Sequence, residues 1–223
     1  MLGKIGREID LLSKYPKPKR DILKRGATKT TEQQELARKF GKDFFDGDRS
    51  NGYGGYYYNE KFWVNVIPDF INFYNLKDGD KILDIGCGKG FMLYDFKNAN
   101  SKFEVEGIDI SDYAIKNAKP EMKKYLKVGD AKKLNYADNT FDLVISITTV
   151  HNLDLKECKE SLQEIERVSK KYKFITVDAY SNEKERELMN SWNLTAKTIL
   201  YTDEWKELFL EARYTGDFYW FKP

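Results

Sequence analysis

At 223 residues, 41% apolar and 33% charged, the chain suits one soluble domain with an extension and is long enough to bury most of its unfolded surface. Its 38 basic and 36 acidic side chains leave a net charge of only +2, which weighs against a nucleic-acid partner, and no apolar run approaches membrane-spanning length. Cys87 and Cys158 make neither a disulfide framework nor a metal site, and no signal-peptide core follows Met1, so a reducing cytoplasm is expected.

The first thirty residues are basic: Lys4, Arg7, Lys14, Lys17, Lys19, Arg20, Lys24, Arg25 and Lys29 stand against Glu8, Asp10 and Asp21. Pro16 and Pro18 break any helix there. An arm of this density reads as solvated surface, with nucleic acid or an anionic small substrate as its functional alternatives. A helix is predicted over 31–45, with Leu36, Phe40 and Phe44 on one face. The stretch 46–58, rich in glycine and tyrosine, follows. It reads as a lid carrying Arg49, Tyr53 and Tyr56, the alternative being a turn whose tyrosines pack on the domain. A second helix is predicted over 61–74. Residues 1–75 thus form a helical extension with a lid, and 76–223 a ligand-binding domain.

Residues 81–85 make a short apolar strand interrupted by Asp84, and Gly86, Gly88 and Gly90 follow before a helical pattern from Phe91 to Phe96. Glycines at a strand-to-helix turn let backbone approach a ligand, and the helix start offers free amides. Cys87 fits a place where only a small residue is accommodated. The even G-x-G-x-G spacing differs from the dinucleotide fingerprint, whose third glycine comes three residues after the second. A second strand ends on Asp109, at about the twenty-residue separation that puts an acid under ribose hydroxyls. A helix cap is the competing role for Asp109, but Ser111 or Asp112 can serve as the cap.

A third strand, 125–128, leads to Asp130, which alone would pass for an ordinary turn aspartate. Residues 141–147 are almost continuously apolar, as a central parallel strand buried on both faces requires, with Asp142 at its start. Its far end runs into Thr148, Thr149, His151 and Asn152, and ligands in open α/β sheets bind outside such strand ends. His151, the single histidine, is a candidate general base, with a pocket-wall or capping histidine as the alternative. Thr148, Thr149 and Asn152, with Arg49, are expected to line the substrate site. Helices over 155–170, 183–192 and 202–212 and strands over 173–179 and 216–221 complete the pattern.

Asp84, the three alternating glycines, Asp109 and Asp130, each acid closing a strand, resemble the motifs of class I S-adenosylmethionine-dependent methyltransferases. The resemblance spans about residues 81–179. It implies an α/β, doubly wound, mostly parallel sheet of six or seven strands flanked by helices, with S-adenosylmethionine as donor and S-adenosylhomocysteine as product. Gly86, Cys87, Gly88 and Gly90 would shape the cofactor seat, with Asp84 near the methionine ammonium. Asp109 and Ile110 would hold the ribose side, Asp130 and the Ala131 amide the adenine, and Tyr53 and Tyr56 the cover. The family's usual sheet closes with an antiparallel hairpin, whereas here only one strand follows the last helix, leaving 194–201 to supply a seventh.

No Asn/Asp-Pro-Pro-aromatic motif follows the fourth strand; Thr148-Thr149-Val150-His151 stands there. The expected acceptor is therefore an O or N nucleophile of a small metabolite, anionic or nucleotide-linked. A nucleic-acid or protein methyltransferase is the second reading. A nicotinamide enzyme, opposed by the glycine spacing, or a binder of the cofactor without methyl transfer is the third. Oligomeric state is open.

Overall fold

A computed structural model describes residues 4–17 and 26–222. Lys19, Arg20, Asp21, Lys24 and Arg25 of the basic arm, Pro18, and the start of the chain at Met1 lie outside the described residues.

Seven strands form one sheet: β1 (Lys81–Ile85), β2 (Glu104–Asp109), β3 (Leu126–Val128), β4 (Phe141–Ile147), β5 (Ser169–Tyr180), β6 (Leu200–Tyr201) and β7 (Asp217–Phe221). The order is β3-β2-β1-β4-β5-β6, and β7 also pairs with β5. Every pairing is parallel. In place of the antiparallel hairpin that usually closes the resembling family's sheet, two parallel pairings to β5 finish this one. β6 runs beside Ala179 and Tyr180 of β5, and β7 beside Phe174 to Asp178. The N-terminal segment then runs parallel along β7: the Ile9 amide donates to the Phe218 carbonyl, and the Phe218 amide to that of Arg7. The Arg7 guanidinium grips both carboxylate oxygens of Asp217 at 3.0 and 2.8 Å. That pairing satisfies strand groups an open edge would leave exposed.

Both faces of the sheet are buried, which explains the continuous apolar runs of β4 and β5. One face packs Phe70, Phe96, Phe103 and Phe174. The other packs Leu162, Ile165, Trp205 and Phe209. Around the sheet lie α1 (Thr31–Ala37), α2 (Lys42–Asp46), α3 (Ile67–Tyr74), α4 (Phe91–Ala99), α5 (Asp112–Lys116), α6 (Leu155–Val168), α7 (Glu183–Trp192) and α8 (Thr202–Ala212).

Two predicted helices are shorter than the periodicity suggests. The 31–45 segment breaks into α1 and α2 because Phe40 adopts φ +47°, a left-handed conformation that ends a helix, and Gly41 begins the next. The 61–74 segment is regular only from Ile67, since Pro68 is accommodated in a first turn but not in a helix interior.

Candidate active site

The carboxyl ends of five strands converge on one cleft of about 480 Å³. Ile85, Asp109, Ile147, Asp178 and Phe221, the last or nearly the last residues of β1, β2, β4, β5 and β7, all line it. Parallel packing makes this unavoidable: strands running the same way end on the same side.

The glycine turn is the floor. Gly86, Gly88 and Gly90 adopt φ +81°, +55° and +77°, which side-chain-bearing residues take only under strain. A Cβ on Gly86 would stand 2.0 Å from Thr149 Oγ1, and one on Gly88 would stand 3.1 Å from the Tyr56 ring. Gly86 and Gly88 line the cleft, but Gly90 does not, being packed against Leu126. Cys87 is also behind the wall, its thiol pushed well above the usual range by burial and then by Asp84 and Asp109. It serves fit.

Asp109 is buried beneath the turn. Its two oxygens accept from the Gly88 amide at 2.7 Å and the Ser111 amide at 2.8 Å. Burial raises its pKa, and those two amides partly offset the rise. Ser111 caps α5 through the Ala114 amide, so capping does not occupy Asp109. Asp84 lies deeper, outside the cleft lining and 4% exposed, and receives no hydrogen bond from the described residues. Its pKa is raised to about 7, first by burial and second by the charge of Asp109. Ile110, exposed beside Asp109, forms part of the wall, as do Asp130 and Ala131 beyond β3. One Asp130 oxygen accepts from the Lys132 amide at 2.9 Å, and its side chain is 43% exposed. Asp142 sits at the opposite end of the sheet, accepting from the Lys81 amide and facing Lys171.

Past β4 the chain turns sharply at Thr148, held at φ +50° with its amide directed at both oxygens of Thr176, at 3.1 Å (carbonyl) and 2.9 Å (Oγ1). A β-branched residue is strained there, and such strain concentrates at functional sites. Asn152 Nδ2 braces the turn by donating to the Thr148 carbonyl, while its Oδ1 is buried without a donor among the described residues. Thr148, Thr149, His151 and Asn152 all line the cleft.

His151 Nδ1 accepts the backbone amide of Asp178 at 2.7 Å. That nitrogen therefore carries the lone pair, and the neutral ring bears its proton on Nε2. Burial lowers the His151 pKa below 6.5 against the opposing pull of the Asp178 carboxylate, 3.5 Å away, so the ring is neutral at physiological pH. A ring in this tautomer donates a hydrogen bond from Nε2; it accepts none there.

The roof comes from the N-terminal extension. Phe44, Phe45, Tyr53 and Tyr56 pack as an aromatic cluster of tilted, edge-on and stacked pairs with centroids 4.4 to 5.9 Å apart. Arg49 lines the cleft, but its guanidinium also closes the roof loop on the Gly52 and Tyr53 carbonyls at 2.5 and 3.1 Å. Arg38 ties α1 to the 193–197 segment through the Thr195 and Ala196 carbonyls.

Sequence reasoning missed several cleft residues. Asp178 continues the series of acids closing strands, a signal present in 173–179 and not extended that far. Trp192 and Phe221, stacked at 5.6 Å, come from α7 and β7 and share a wall only through the β5–β7 pairing. Outside the cleft lining, Lys89 and Asp46, paired at 2.9 and 2.7 Å, join the floor to the roof across 43 residues.

An acid-closed β1, a glycine turn and an acid under it, opening at the strand ends of a parallel sheet, define a site for a nucleoside-bearing cofactor. Residues 76–213 match the family model described as a methyltransferase domain, and the chain belongs to the class I S-adenosylmethionine-dependent methyltransferases. It is 33% identical over 129 residues to 24-methylenesterol C-methyltransferase 3 of Arabidopsis thaliana, covering 52% of this chain and 35% of that protein. It is 36% identical over 98 residues to phosphoethanolamine N-methyltransferase 3 of the same plant, covering 42% and 20%. The match therefore spans about a third and a fifth of those relatives. A solved SAM-dependent methyltransferase from Methanosarcina mazei shares the fold at a TM-score of 0.51 and 24% identity, over 65% of this chain and 83% of that one. Among the described residues, no helix is long and apolar enough to cross a membrane.

Proposed function

We propose that the cleft transfers a methyl group from S-adenosylmethionine to an O or N nucleophile of a small metabolite. The observation that carries this is the shape of the site. Glycine turn, strand ends, aromatic roof and the 193–197 segment line a partly open cleft of about 480 Å³, a size suited to a cofactor and a small acceptor. The two Arabidopsis relatives are named for small acceptors, a sterol and phosphoethanolamine, and the net charge of +2 offers little to a polyanion. Arg38, Lys132 and Lys197 are the cleft cations an anionic acceptor would use, beside the acids Asp109, Asp130, Glu157 and Asp178; Arg38 also holds the Thr195 and Ala196 carbonyls, and Lys132 pairs with Glu157 at 2.5 Å. Two free, buried cysteines suit a reducing cytoplasm.

The residues fit the cofactor. Gly86 leaves backbone bare where a side chain would collide with Thr149, and Gly88 where one would crowd the Tyr56 ring. Asp109 retains lone pairs for ribose hydroxyls, Asp130 and the Ala131 amide would meet the adenine, and Asp84 supplies negative potential behind the turn, toward the methionine ammonium. Bound there, the sulfonium supplies an activated methyl that needs little further chemistry.

The protein's work is then positioning and exclusion of water. Tyr53 and Tyr56 cover the site, and the Thr148 turn sets the acceptor wall. His151 Nε2 donates a hydrogen bond that orients the acceptor's lone pair, a positioning role in place of general base.

Calorimetric titration with S-adenosylhomocysteine, with NAD as comparator, tests the reading. Micromolar binding of the former, lost in Asp109→Ala, is expected; saturation by NAD would overturn it.

A further inference from the structure

Lys89 stands inside the glycine turn, where a lysine ordinarily reaches solvent, yet its side chain is only 5% exposed. Its ammonium donates to both oxygens of Asp46, and the rings of Tyr57 and Tyr113 flank it at 5.3 and 5.9 Å. Asp46 is the last residue of α2 and opens the roof loop. It accepts two more hydrogen bonds, from the Tyr113 hydroxyl at 2.7 Å and the Tyr56 amide at 2.9 Å. Burial opposes the Asp46 charge, but Lys89, the Tyr56 amide and Tyr113 outweigh it and hold its pKa below the usual range. Three units thus meet on one carboxylate: the glycine turn, α5 and the roof.

The same three units meet at the cofactor face. The Gly88 amide is bound to Asp109, and the Ser111 amide to its other oxygen. The Ser111 hydroxyl donates to the Phe40 carbonyl, and the Tyr56 ring lies against Gly88. Gly88 and Lys89 are consecutive, so whatever fixes one fixes the other. A buried ion pair contributes little net stability, but it strongly specifies an arrangement, and losing one partner leaves an uncompensated charge.

We propose, resting on the cofactor reading above, that Lys89 and Asp46 form a latch coupling cofactor occupancy to roof closure. Cofactor contacts at Gly88 and Asp109 fix the turn, the turn holds Lys89 on Asp46, and Asp46 draws residues 47–58 over the acceptor end. Lys89 is a positioning residue.

Hydrogen exchange of the full chain with and without S-adenosylhomocysteine tests this. In wild type the ligand slows exchange both at 104–111, beside Asp109, and at 41–58, in the roof. Lys89→Met keeps the first effect, loses the second and weakens ligand affinity about tenfold, because the ligand no longer gains the roof contacts. Lys89→Arg restores most of the roof effect. A merely structural lysine would lower the Tm without changing the ligand-dependent difference at 41–58. Unchanged roof exchange in wild type on ligand binding, or retained roof protection in Lys89→Met, would overturn the latch. Should Lys89→Met not fold, Tyr113→Phe removes one donor from Asp46 and is expected to show a smaller loss of the same roof effect; full retention there counts against the latch. Absence of any effect at 104–111 in wild type sinks the cofactor reading, and the latch with it.

Discussion

The floor and the roof of the cleft are built by different rules. The floor is a set of parallel strand ends held by hydrogen-bonded neighbours between two buried faces, so the strands that carry it have little freedom. The roof is two short helices and a loop, held by an aromatic cluster, an arginine clasp and one ion pair. The roof derives its position from the floor, and local stability of this kind is where lids are drawn from.

The largest effect should come from breaking the floor. Gly86→Ala places a Cβ on Thr149 in a residue held at φ +81°, and strain plus overpacking should cost about 2–5 kcal/mol, read by urea denaturation. Wild-type stability in that variant would mean the turn is softer than its packing implies.

Asp84→Asn sharpens the contrast, because it should separate stability from binding. The folded Asp84 pKa, about 7, lies above its unfolded value, so ionisation costs stability as pH rises through 7. Asn removes that cost. The variant should melt higher than wild type at pH 8, with little difference near pH 4, while binding S-adenosylhomocysteine more weakly. Wild-type affinity should itself rise from pH 6 to pH 8 as the carboxylate ionises. A flat pH profile would remove Asp84 from the cofactor field.

A smaller effect is expected at His151. A neutral donor predicts a kcat without an ionisation between pH 6 and 8, and a His151→Gln variant that retains part of the rate. An acid limb below pH 6.5 that vanishes with the histidine would restore the general base.

The smallest concerns the roof alone. Tyr53→Ala should leave Tm almost unchanged and raise the acceptor KM roughly three- to tenfold, since Tyr53 is 44% exposed and its ring covers the site without supporting the core. A large loss of stability would show the roof to be part of the core.

What was legible divides along the same line. Strands β1 to β4, the glycine turn and the position of Asp109 follow from local periodicity and spacing, because a buried parallel strand and a strand-to-helix turn each impose a pattern on consecutive residues. The break at Phe40 was not legible, since a left-handed phenylalanine is selected by what its ring packs on. The tautomer of His151 was not legible either: it depends on the Asp178 amide, 27 residues away, arriving at 2.7 Å.

The sequence by itself determined the class of fold, the acids that close its strands and the glycines that bare the cofactor seat. All of these are demands of backbone geometry met by neighbouring residues. Only the tertiary structure decided that the last strands pair in parallel, that Asp178, Trp192 and Phe221 join the cleft, and that Lys89 reaches Asp46. Those are encounters between segments far apart in the chain, governed by long-range packing, which leaves no period in the sequence to read.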